Sequence, residues 1–241
     1  MSGLLVPLGI GRGDVVAAVG AGGKTSLLRA LDAEAAALGW TVLLTSTTHM
    51  GPAREGEAVL FASDGVTDEV VRATVRDRGR ATLYGRRVRE DKLEGVAPER
   101  VDALAGAADL VLVEADGARR RSLKAPADHE PVVPRSSSLV VVLAGLDVIG
   151  TAVDGPLVHR PELVARLGGA SSVTEDALVA CLAHPRSYPR ARAPGRRLAV
   201  FLNKAEDEGG GEAARRIAPR LCPPYDLVVA GSARGTSERL R

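Results

Sequence analysis

The chain has 241 residues, 45% of them apolar and only 2% aromatic, and its acids and bases nearly cancel at a formal net charge of +2. That balance gives no reason to expect nucleic acid or an anionic membrane as a general partner. No apolar run approaches the ~20 residues of a membrane-spanning helix, and two cysteines without CxxC spacing argue against a disulfide framework and for a reducing cytoplasm.

The length fits one α/β domain over residues 1–241, with Val, Leu and Ala filling the core. Met1 to Gly13 lack a charged start followed by an apolar stretch, so a secretory leader is not expected. Val15 to Val19 reads as a first strand running into a glycine-rich turn. A helix is predicted from Thr25 to Leu38, with Leu27, Leu28, Leu31, Ala35 and Leu38 at helical spacing and Gly39 as its stop. Thr41 to Thr45 is a second strand. Ala58 to Ala62 and Ala81 to Tyr84 read as short strands around a helix at Thr67 to Asp77, and Pro98 to Ala107 as a further helix. Leu110 to Glu114 and Leu139 to Ala144 are apolar strands. Helices at Pro161 to Leu167 and Thr174 to Ala183 follow, then an exposed Pro- and Arg-rich loop from Arg186 to Arg197. Strands at Leu198 to Leu202 and Leu227 to Ala230, with a helix at Glu212 to Arg220 between them, complete the chain. Strands alternating with helices predict an α/β fold of P-loop NTPase type, a mainly parallel sheet with helices on both faces.

The segment Gly20-Ala21-Gly22-Gly23-Lys24-Thr25-Ser26 carries the strongest chemical signal. A strand, a glycine-rich turn and a helix N-terminus together present backbone N–H groups and a partial positive charge to phosphates. Lys24 can neutralise the β and γ phosphates, and the Thr25 hydroxyl can ligate Mg²⁺. The expected ligands are therefore ATP or GTP with Mg²⁺. Ala18 stands where the full pattern has its first glycine, and the compact G-x-x-G-K-T resembles the loops of Mur ligases and of the lipid A tetraacyldisaccharide kinase.

Leu110 to Gly117 (LVLVEADG) reads as a strand ending in a metal-binding acid. Residues two apart in an extended chain share a side, so Glu114 and Asp116 are expected to face one site, one on Mg²⁺ and one orienting a water or hydroxyl. Arg119, Arg120, Arg121 and Lys124 follow at the ligand-binding edge of the sheet. Lys124 is the preferred candidate for stabilising charge on a transferring phosphate, and the basic run for holding a small anionic substrate. Asn203-Lys204-Ala205-Glu206 after an apolar strand is similar to the N-K-x-D signature that reads guanine. Gly231 to Arg234 is similar to the loop that supports it, so Asn203, Lys204 and Glu206 are assigned to a nucleobase pocket with Asp207 as an alternative acid. Thr47, Thr48 and His49 sit at the same predicted edge. Asp128 or His129 within Asp128-His129-Glu130, and His159-Arg160 with Glu162, are weaker candidates for substrate contact.

Five segments in order carry a family resemblance: Val19 to Ser26 (VGAGGKTS), Leu43 to Met50 (LLTSTTHM), Val113 to Pro134 (VEADGARRRSLKAPADHEPVVP), Val158 to Glu162 (VHRPE) and Phe201 to Asp207 (FLNKAED). In these the chain resembles the YqeC family of accessory proteins of selenium-dependent molybdenum hydroxylases. The resemblance implies a part in making or inserting a selenium or molybdenum cofactor into a molybdenum hydroxylase, driven by nucleotide turnover. Two readings follow: a Mg²⁺-dependent NTPase or kinase- or ligase-like phosphotransferase, and a nucleotide-gated binding module with little turnover.

Overall fold

Continuous apolar runs along the strands call for cover on both faces of a sheet, and that is how the chain folds. In the computed structural model, which describes residues 3–51, 53, 57–89, 92–169 and 171–241, nine strands form one sheet. They are β1 (Asp14–Gly20), β2 (Val42–Ser46), β3 (Val59–Phe61), β4 (Arg80–Tyr84), β5 (Leu110–Glu114), β6 (Leu139–Gly145), β7 (Arg197–Asn203), β8 (Leu227–Ser232) and β9 (Thr236–Arg239). Their spatial order is β9-β8-β7-β6-β1-β5-β2-β4-β3. Every neighbouring pair is parallel except β9, which runs antiparallel to β8 at the edge. Helices α1 (Leu5–Leu8), α2 (Lys24–Ala37), α3 (Asp68–Arg78), α4 (Pro98–Ala103), α5 (Pro161–Gly168), α6 (Glu175–Ala183) and α7 (Glu208–Ile217) connect and cover it. This is a mainly parallel α/β fold flanked by helices, consistent with the P-loop NTPase-like class.

Successive residues of β1 feed two separate cores. Val15, Ala17 and Val19 join Val71 and Val75 of α3, Leu178 and Leu182 of α6, and Ile217 of α7. Val16 and Ala18 join Leu27, Leu28, Leu31 and Ala35 of α2 together with Leu5 and Leu8 of α1. Each fully buried leucine of α2 contributes roughly 2 kcal/mol of transfer free energy, which holds the helix down on the strand that precedes it. Parallel register brings the strand ends together: Ala18 and Ser46 both lie opposite Glu114, Gly20 lies opposite Leu143, and Gly145 lies opposite Asn203. The carboxyl ends of five strands therefore share one edge.

Several expectations are corrected. The stretch from Arg186 to Arg197 contains a 3-10 turn, Tyr188–Ala191, with Tyr188 fully buried. Its hydroxyl donates to the Lys124 carbonyl at 3.1 Å, an anchor that the surrounding prolines and arginines conceal. Helix α7 begins at Glu208 rather than Glu212, because the Asp207 carboxylate caps it by accepting from Gly210 N at 2.6 Å; three glycines in the first turn mask the signal. Helix α4 stops at Ala103, short of Ala107. A small three-stranded sheet of His49–Met50, Arg86–Arg89 and Lys92–Glu94 was not legible in the sequence, nor was the edge strand β9. Among the described residues no helix is long and apolar enough to cross a membrane.

Candidate functional site

Strand β1 hands the chain to α2 through Gly20 to Gly23, where Gly20, Gly22 and Gly23 have φ of 86°, 85° and 124°. Only glycine adopts these values without cost. At Gly22 there is also no room: a Cβ would lie 2.5 Å from the backbone N of Gly145. The loop is held from outside by Gly20 N donating to Asp116 Oδ2 (3.1 Å), Ala21 N to Leu143 O (2.9 Å) and Gly22 N to Arg121 O (2.7 Å). Helical hydrogen bonding starts with Leu27 N to Gly23 O. Among the described residues the N–H groups of Gly23, Lys24, Thr25 and Ser26 have no protein acceptor, as expected of a helix start open to an anion.

Lys24 curls back so that its ammonium donates to Gly20 O at 2.7 Å. Burial pushes it below its ordinary range, against the pull of Glu114 and Asp116. Thr25 donates its hydroxyl to Glu114 Oε2 at 2.6 Å, joining helix start to strand end. Burial pushes the Glu114 carboxyl up, opposed by Lys24 and the Thr25 hydrogen bond. A hydroxyl and a carboxylate at one point beside an open helix N-terminus are an oxygen donor pair of the kind Mg²⁺ uses with nucleotide phosphates. Among the described residues no group of three His, Cys, Asp or Glu side chains forms a metal site, and Mg²⁺ held largely by phosphate and water requires none.

The two acids after β5 part company. Glu114 lines a cleft of about 1380 Å³ at the carboxyl edge, whereas Asp116 has a fully buried side chain and accepts from Gly20 N beneath the loop. Lys124, expected at the transferring phosphate, lies with it below the cleft. Its ammonium, 0% exposed, pairs with Asp116 and, at 2.8 Å, with Glu130 Oε2, and donates to Gly117 O at 2.5 Å. The Leu123–Lys124 pairing with Val158–His159 turns the Lys124 side chain inward, so its place is one of support. Burial raises the Asp116 carboxyl, opposed by Lys124 and Lys24. Burial alone would raise Glu130 too, but Arg160 and Lys124 outweigh it and hold that carboxyl at about 2. A chain of alternating charges thus runs from Gly20 N through Asp116, Lys124 and Glu130 to Arg160.

Asn203, at the end of β7, donates to Gly22 O at 2.5 Å and accepts from Ala233 N at 2.7 Å, so it splices the loop after β8 to the phosphate loop. Lys204 has φ of 62° and sends its ammonium to Ser122 Oγ (2.9 Å) and Asp147 Oδ2 (2.6 Å). Glu206, Ser232 and Arg234 also line the cleft, while Asp207 is committed to capping α7.

The remaining candidates divide by position. Gly22, Gly23, Lys24, Thr25, Ser26, Thr48, His49, Arg119, Arg120, Arg121, His159 and Arg160 line the cleft; Thr47, Asp128, His129 and Glu162 do not. Thr47 instead donates to Val132 O at 2.6 Å. Glu130, noticed in the sequence only as a neighbour of His129, is the member of that trio that reaches the site. Among the cleft residues there is no Phe, Tyr or Trp. Burial pushes the Cys181 thiol up to about 12.

Sheet order, open helix start and acid-bearing neighbour strand define an α/β protein whose architecture agrees with the P-loop NTPase-like class. The profile of the YqeC protein family matches residues 16–162. The chain is also 35% identical over 212 residues to "Uncharacterized protein YqeC" of Escherichia coli (strain K12), an alignment covering 84% of this chain and 81% of that protein. The chain belongs to the YqeC family.

Proposed function

We propose that this protein binds a nucleoside triphosphate with Mg²⁺ and turns it over, by hydrolysis or phosphoryl transfer, during maturation of the selenium or molybdenum cofactor of a molybdenum hydroxylase. The observation that carries the chemical half is the open start of α2: four backbone N–H groups without acceptors, glycines that no larger residue could replace at the closest approach, and Lys24 beside them. The pathway half rests on family membership and on the matched segments from Val113 to Pro134 and Phe201 to Asp207.

Thr25 and Glu114 would hold the Mg²⁺, which would shield the negative charge of the phosphates. Lys24 exchanges its Gly20 carbonyl for phosphate oxygens, whose negative charge offsets the burial that disfavours its own. Asp116 and Lys124 keep the loop in shape from below. Asn203 fixes the neighbouring wall, leaving Glu206 at the cleft as the acid available to a nucleobase edge.

Calorimetric titration of ATP and of GTP with Mg²⁺, on wild type and Lys24→Ala, tests this. Tight binding of one nucleotide, weakened at least a hundredfold in the variant, is expected; a folded wild type that binds neither would falsify the reading. A switch with little turnover is favoured by one observation, the Asn203 splice between the two loops. It predicts nucleotide-dependent binding to a hydroxylase with no rise in hydrolysis when the hydroxylase is added.

A further inference from the structure

Four described residues other than glycine are held at positive φ: Arg119 (48°), Arg120 (60°), Arg160 (58°) and Lys204 (62°). All four are basic, and all four line the same cleft. A left-handed conformation costs an ordinary side chain roughly 1–2 kcal/mol, and such strain persists where the surroundings impose it, characteristically at binding sites. Here Arg160 is clamped by Glu130 just before Pro161 starts α5. Arg119 and Arg120 are the central residues of a turn closed by Arg121 N donating to Ala118 O at 3.0 Å, and the chain just beyond is held by Gly22 N donating to Arg121 O and by Ser122 N donating to Leu157 O at 2.8 Å.

Within this wall Arg160 and Lys204 have acidic partners in Glu130 and Asp147. Arginines elsewhere, such as Arg80 with Asp32 and Arg197 with Asp14, pair with acids, but among the described residues Arg119 and Arg120 have no acidic partner and are exposed. Glu130, the acid nearest the wall, is already shared between Lys124 and Arg160. The cleft, at about 1380 Å³, also exceeds the roughly 300–1,000 Å³ that one small ligand fills. Planar guanidinium forks match phosphate oxygens bidentately.

We propose that Arg119, Arg120 and Arg160 form a binding site for a second ligand beside the nucleotide, a small molecule carrying a phosphate group. This deepens the proposed function and rests on the phosphate loop holding the nucleotide's own phosphates. His159, next to Arg160 on the same wall, supplies an independent reporter. Burial, together with Lys124, Arg160 and Arg119 and against Glu130, lowers its imidazole to about 4, and an anion seated among these cations would raise it.

The test titrates inorganic phosphate into protein saturated with Mg²⁺ and a non-hydrolysable nucleotide analogue, for wild type and for Arg119→Gln/Arg120→Gln. The two exposed arginines have no protein partner among the described residues, so this variant keeps its fold. Expected are phosphate binding without displacement of the analogue, a loss of tenfold or more in the variant with analogue affinity within twofold, and an upward move of the His159 titration by NMR. Displacement of the analogue by phosphate, or a variant that loses the analogue instead, assigns the wall to the nucleotide and overturns the proposal. So does a wild type that takes up the analogue but no phosphate, or phosphate binding that leaves His159 unmoved. Should no nucleotide bind, the proposed function fails on its own. Phosphate is then titrated into Lys24→Ala, where dependence on Arg119 and Arg120 sustains the wall and independence removes it.

Discussion

Glu130 shows how one side chain can set the shape of a site without entering its chemistry. It sits between a fully buried ammonium and a partly exposed guanidinium, and its carboxyl is held at about 2 against an ordinary 4.5. A depressed carboxyl contributes stability that is fully present above its unfolded value and lost as pH falls through the folded one. On that sign, the contribution is complete above about pH 4.5 and vanishes towards pH 2, a swing of roughly 3 kcal/mol. Glu130→Gln should therefore lower stability at pH 7 and flatten the acid limb of the stability curve between those limits, as read by urea denaturation at several pH values. Lys124→Met should be worse, costing about 3–5 kcal/mol, because it leaves the buried Asp116 carboxylate without its ammonium. A Lys124 that contacted the transferring phosphate directly would instead show its largest effect in turnover, with little loss of stability.

At the scale of elements, the junction of β1 with α2 combines two demands that a pair of glycine substitutions separates. Gly22→Ala meets both a positive φ and the Gly145 backbone at 2.5 Å. Gly39→Ala meets a φ of 71° with nothing within 4 Å. The second should cost about 1 kcal/mol. The first should cost more and also abolish tight nucleotide binding, since the loop can relieve the contact only by moving; denaturation and calorimetry on both variants check this. The same junction was the most legible part of the sequence, because strand, glycines, lysine and helix are contiguous and each is a local signal. The direction of Asp116 and Lys124 was not legible. Period-two alternation places Asp116 beside Glu114 only while the strand lasts, and β5 ends at Glu114. The inward turn of Lys124 depends on pairing with Val158–His159, more than thirty residues later in the chain. Arg119 and Arg120 gave no turn signal at all, because arginine is not a residue type that marks left-handed backbone. Asn203 stood out in the sequence as a candidate for a nucleobase pocket, but its two backbone partners are set by the parallel register of β6, β7 and β8.

At the scale of the whole molecule, the sheet separates its ends. The single tryptophan, Trp40, lies just before β2 under the Arg12 guanidinium at 5.3 Å, at the amino edge, whereas the cleft occupies the carboxyl edge. Five residues of β2 put roughly 17 Å between them. Among the described residues no Phe, Tyr or Trp lines the cleft, so a nucleobase finds no large ring to stack on, and attraction falls to phosphates meeting backbone N–H groups and Lys24. Such attraction is screened by ions. Raising the salt should loosen the nucleotide steeply, and the bare nucleoside should hardly bind, both measurable by calorimetry. Indole emission should stay flat throughout: this protein grips its ligand by charge and gives no optical sign that it has done so.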